Sequence, residues 1–106
     1  MDTNNYSARS IACMKRVEDW LEDFDPDELD FTPSDGVITL EFGDGSKYVL
    51  NRQSAAEQVW YAAGARAWHF NYDEAQDKWI DDKEGHDLFD RILETVGTKL
   101  GRALSF

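Results

Sequence analysis

The chain holds one cysteine, two prolines and half as many basic as acidic side chains, 11 against 22. A lone Cys13 excludes an internal disulfide and fits a reducing compartment. No Cys/His group has zinc-site spacing, and there is no Gly-rich phosphate loop. No apolar run approaches the ~20 residues that span a bilayer. The segment Met1–Tyr6 lacks the basic and apolar regions of a secretory signal and the Arg-rich look of a transit peptide. A cytoplasmic setting is therefore expected. The shortage of bases, with a pI near 4.4, argues against binding nucleic acid phosphates or anionic membranes. It favours metal cations or a protein with a basic patch.

Aromatic residues are plentiful. They make up 13% of 106 residues, and hydrophobic residues make up 42%. A single folded domain, 1–106, is expected rather than a disordered acidic tail. Charge is distributed unevenly. Residues 17–46 carry Glu18, Asp19, Glu22, Asp23, Asp25, Asp27, Glu28, Asp30, Asp35, Glu41 and Asp44, and no Lys or Arg. These eleven acids equal the net charge of −11; elsewhere acids and bases cancel. Such a cluster repels itself.

Helical spacing of Tyr6, Ser10, Cys13, Val17, Leu21 and Phe24, flanked by Met14 and Trp20, predicts a helix over 5–24. Glu18/Glu22 and Asp19/Asp23 form like-charge i,i+4 pairs at its C-terminal end, where the helix dipole also disfavours anions. Local rules broken twice in one place point to function. Strands are expected at 29–32, 37–42, 47–53, 58–62, 67–72 and 78–81, with a hairpin turn at Gly43–Ser46. Ile38, Leu40, Phe42, Tyr48, Leu50, Val59, Tyr61, Trp68 and Phe70 should face inward. A second helix starts after Asp87 as N-cap and buries Leu88, Ile92 and Val96 with Phe89, Leu93 and Leu100. Gly97 and Gly101 are expected to weaken its end. The simplest assembly is an α+β, two-layer α-β sandwich: two helices on one face of a largely antiparallel sheet of about six strands.

Catalytic groupings are few. His69 points outward and Cys13 lies on the buried helix stripe, so they do not suit a nucleophilic pair. Most charge runs are solvated faces that aid solubility. The alternative here is a surface for hard cations, since carboxylates suit Mg²⁺, Ca²⁺, Mn²⁺ and iron. Without His or Cys ligands, binding there should be weak and exchangeable. The same face suits a basic partner, because opposed potentials speed encounter. A second candidate surface is Asn51, Arg52 and Gln53 with Gln58 and Trp60. With Val59 and Tyr61 inward, Trp60 projects from the open sheet face; a register one step off would bury it. An exposed Trp beside amides and an Arg has the composition of an interface hot spot.

Several blocks, in this order, resemble the frataxin family in its bacterial form. They are Glu18-Asp-Trp-Leu-Glu-Asp-Phe-Asp25, Gly36–Phe42, Asn51-Arg52-Gln53 with Gln58-Val59-Trp60, and Asp77–Ile80. The resemblance implies the same sandwich. It implies weak binding of iron, Fe²⁺ or Fe³⁺, with Glu18, Asp19, Glu22, Asp23, Asp25, Asp27 and Asp30 as metal-site residues. Asn51, Gln53 and Trp60 fall at family partner positions. The implied role is a non-enzymatic iron chaperone or regulator of iron–sulfur cluster assembly. Its implied partners are a cysteine desulfurase and the scaffold machinery. A monomer at rest is expected, with iron-driven oligomers. The alternatives are a ferroxidase and a metal-independent inhibitory binding module. Trp20 departs from the family, standing where a charged residue is usual.

Overall fold

Six period-two segments pair in chain order into one antiparallel meander. The computed structural model describes residues 2–106, with side chains described from Asn5 onward. The strands are β1 (Leu29–Ser34), β2 (Val37–Phe42), β3 (Lys47–Gln53), β4 (Gln58–Ala63), β5 (Arg66–Asp73) and β6 (Lys78–Asp81). Helix α1 spans Asp2–Leu21 and α2 Leu88–Leu100. A single 3-10 turn, Ser54–Ala56, joins β3 to β4.

Both helices cover one sheet face, α1 beside β1 and α2 beside β6. Val17 and Leu21 from α1, and Leu88, Ile92 and Val96 from α2, join one core with Ile38, Leu40, Leu50, Val59, Tyr61 and Phe70. Period-two alternation puts the other half of each strand on the open face. That face carries the two rows of residues described below. Pro33 does not end β1, which runs on to Ser34 with Pro33 opposite Ile38. An edge strand tolerates the missing N–H.

Helix α1 ends three residues before the predicted Phe24. Glu22 N still bonds to Glu18 O at 3.1 Å, but Asp23 N and Phe24 N turn to Trp20 O and Leu21 O. The last turn tightens where like charges and the dipole weaken the helix.

Asp87 caps α2 by accepting the Asp90 N–H at 3.1 Å. Just before it, the loop is built on buried Asp81. That carboxylate accepts N–H groups of Lys83 (2.9 Å), Glu84 (2.7 Å) and His86 (2.7 Å). Burial pushes its pKa up, but the three donors outweigh burial and hold it below the usual range.

Gly97 has a packing role that the sequence reading missed. The chain reverses after α2, so that Arg102 N bonds to Gly97 O at 3.0 Å. A Cβ on Gly97 would lie 2.8 Å from the Arg102 carbonyl oxygen. This close approach brings the C-terminal segment back over α1, where Trp20 Nε1 donates to Ser105 O at 2.8 Å. Gly97→Val should therefore cost about 1–3 kcal/mol and detach that segment. Urea unfolding reads the first effect, and the Trp20 indole proton shift reads the second.

Candidate functional site

The acids of residues 18–30 occupy the end of α1, the following turn and the first half of β1. Glu18 is half-buried; Asp19, Glu22, Asp23, Asp25, Asp27 and Asp30 are exposed. The segment is held in place by a side-chain hydrogen bond of its own and a backbone bond to the β2–β3 turn. Asp25 Oδ1 accepts the Asp27 N–H at 2.9 Å. Gly43 N bonds to Glu28 O at 3.1 Å. A Cβ at Gly43 would sit 2.7 Å from Asp27 O, so glycine permits this approach of the β2–β3 turn.

The excess is partly compensated, once from within α1 and twice from distant parts of the chain. Lys15 pairs with Asp19 at 2.6 Å, Lys99 with Asp44 at 2.7 Å, and Arg102 grips Glu28 with both guanidinium nitrogens. The Arg102 hydrogen bond holds the Glu28 carboxyl below its usual range, and Lys99 does the same for Asp44. Among the described residues, Glu18, Glu22, Asp23, Asp25, Asp27, Asp30 and Glu41 make no ion pair within 4.0 Å. Asp30 stands directly opposite Glu41 in the β1–β2 register. A like-charge cross-strand pair is unfavourable. It carries the ridge from the helix tail onto the open sheet face. No three Asp, Glu, His or Cys side chains among the described residues form a metal cluster. The ridge offers separate carboxylates, not a cage.

The second surface lies on the open face. Register puts Val37, Asn51, Trp60 and His69 in one cross-strand row. Trp60 stacks on His69, with centroids 4.1 Å apart and planes 12° from parallel. Its Nε1 donates to Gln58 Oε1 at 2.8 Å, and Gln58 Nε2 donates to Asn71 Oδ1 at 3.2 Å. Gln53 pairs with Gln58 in the next row. Asn51, Gln53, Gln58 and Trp60 thus form one patch, with His69 and Asn71 added. Arg52 does not belong to it. It pairs with buried Val59, so it projects to the helix side, where Nε donates to Ser10 Oγ at 2.8 Å. The sequence signal was present, since Arg52 alternates with outward Asn51. Register likewise foretells the Trp60–His69 pairing, but only once the β4–β5 turn is fixed.

A frataxin-like domain model matches residues 1–102. The chain belongs to the frataxin family. It is 35% identical to an iron–sulfur cluster assembly protein CyaY of Thioalkalivibrio sulfidiphilus over 101 residues, 94% of each chain. It is 38% identical to the CyaY of Azotobacter vinelandii over 92 residues, 87% of this chain and 83% of that one. Frataxin from Psychromonas ingrahamii shares the fold, with TM-score 0.86 and 23% identity over 99% of this chain and 97% of that one. A trimeric frataxin from Saccharomyces cerevisiae, complexed with ferrous iron, superposes with TM-score 0.67 and 25% identity over 96% and 88%.

Within this frataxin fold, Trp20 is buried, and Phe24 and Phe106 pack on it. It leaves the ridge at the core margin, so Glu18, Asp19, Glu22 and Asp23 are not interrupted on the exposed side. Cys13 is buried, and burial pushes its thiol up to about 12. It packs beneath α1, whereas His69 lies on the opposite sheet face, which rules out the pair as a nucleophilic centre.

Proposed function

We propose that this frataxin-family chain carries iron as weakly held, exchangeable cargo and regulates iron–sulfur cluster assembly, without catalysing a reaction itself. It does so from the cytoplasm by docking on a cysteine desulfurase and its scaffold machinery. Other divalent cations compete for the same oxygens. The observation that carries the reading is the run of carboxylates from Glu18 to Asp30 and Glu41, exposed except for half-buried Glu18 and Glu28, and most of them without an ion-pair partner among the described residues. Hard cations suit such oxygens, and separated monodentate ligands give weak binding. The curated relatives are named for iron–sulfur cluster assembly, and the yeast frataxin is a complex with ferrous iron. The Asn51, Gln53, Gln58 and Trp60 patch supplies a second contact for the partner, with the composition of a hot spot. The chain is a monomer at rest, and cations that bridge two ridges drive oligomers.

Bound cations relieve repulsion in the folded state, so they stabilise it by linkage. Anaerobic Fe²⁺ should raise Tm by a few degrees more than NaCl of matched ionic strength. Equal effects would remove cation binding from the proposal.

A further inference from the structure

A cleft of about 470 Å³ opens at the end of the ridge, between the tail of α1 and the C-terminal segment. Its walls are aromatic. Trp20 stacks on Phe106 with centroids 4.5 Å apart and meets Phe24 edge-on at 4.9 Å. Phe106 is 36% exposed, one of two large apolar side chains so open among the described residues. The rim carries Asp23, Asp25 and Glu28. Of these, Glu28 is held by Arg102, whose guanidinium also lies 5.9 Å from the Phe24 ring. Arg16 sits 5.3 Å from the Phe106 ring. Two of the three rings already face a guanidinium of the chain itself. Counting Arg16 beside Phe106, three carboxylates stand near two guanidinium groups, but among the described residues Asp23 and Asp25 pair with neither.

We infer that this cleft receives an arginine side chain of a basic protein partner. The planar guanidinium meets Asp23 and Asp25, while its underside and stem lie on Phe106 and Phe24, which buried Trp20 backs from beneath. Arginine suits this combination better than lysine, because it stacks on aromatic rings and pairs with carboxylates in a fixed fork. The inference rests on the docking reading above and adds to it a defined point of attachment. The point depends on Trp20, whose Nε1 ties the C-terminal segment to α1 through Ser105 O.

Hexa-arginine is the probe, titrated into the ¹⁵N-labelled full chain. The Trp20 indole N–H should shift ahead of those of Trp60, Trp68 and Trp79. Phe106→Leu keeps apolar volume but removes the ring, and should weaken binding about three-fold. Asp23→Asn with Asp25→Asn should weaken it about ten-fold at low salt. Unfolding curves establish that each variant is folded. Uniform shifts along the ridge, unchanged affinity in both variants, or a cleft that answers to Mg²⁺ and not to hexa-arginine would each overturn the cleft assignment. The same variants are then tested on the desulfurase. Weaker binding by both cleft variants supports the inference. If Glu18→Lys with Glu22→Lys weakens binding while the cleft variants bind as wild type, the cleft is wrong and the docking reading stands. If all of them bind as wild type, the docking reading falls too.

Discussion

Glu22→Lys combined with Asp30→Lys is expected to make the protein more stable and less functional at once. The first change turns the like-charge Glu18/Glu22 pair into a favourably oriented Glu–Lys pair and places a cation where the α1 dipole wants one. The second turns the opposed Asp30 and Glu41 of β1 and β2 into an attractive cross-strand pair. Both side chains are exposed and neither makes an ion pair among the described residues, so no salt bridge is lost, and the one hydrogen bond given up is the exposed one in which Asp30 Oδ1 accepts the Phe31 N–H at 2.8 Å. Small gains of this kind should add to a Tm rise of about 5 °C in a domain of this size. The net charge moves from −11 by two units per substitution. Binding to the desulfurase proposed above as partner should fall about ten-fold or more at low salt, mainly through slower association. Cation-induced stabilisation should shrink with it. Thermal unfolding with and without Fe²⁺, and association kinetics at two salt concentrations, check both halves. A variant that is destabilised, or that binds as wild type, would show that the ridge is not tuned for function at the expense of stability.

Asp81→Ala acts in the opposite sense, on the fold and not on the surface. Three N–H donors converge on that carboxylate, from Lys83, Glu84 and His86. Removing it leaves them without a partner in the loop that delivers Asp87 to cap α2. The expected loss is about 2–3 kcal/mol, read by urea unfolding at pH 7. The pH dependence follows from the lowered pKa of Asp81. A carboxylate whose folded pKa lies below its unfolded value of about 3.9 contributes fully above that value. Its contribution disappears as pH falls through the folded pKa. The gap between wild type and Asp81→Ala should therefore be constant from pH 7 to about 5 and close below about pH 4. A gap that persists unchanged in strong acid would mean that Asp81 stabilises by packing alone.

How far the sequence reaches differs between these two regions. Asp81 looks like any surface acid at a strand end; its burial is set by the return of residues 83–86 around it. The ridge, in contrast, is visible as a charge count, since eleven acids without a base over residues 17–46 require no coordinates to find. What a count cannot show is which of them are already answered. Arg102 lies 74 positions from Glu28 and Lys99 lies 55 from Asp44, so only the fold reveals those pairs. Lys15 and Asp19, four apart on α1, follow from helix geometry alone.

The sequence by itself determined the order of elements, the inward faces of β2 to β5, the α2 cap and the place of the charge. Each of these is encoded within a few residues, by a period of two or of 3.6 or by a local hydrogen bond. The tertiary structure alone decided that Trp60 lies on His69, and that Trp20, Phe24 and Phe106 enclose a cleft. Those outcomes depend on register between strands and on the return of the C-terminal segment over α1. Both are contacts between residues far apart in the chain, and no local pattern specifies them.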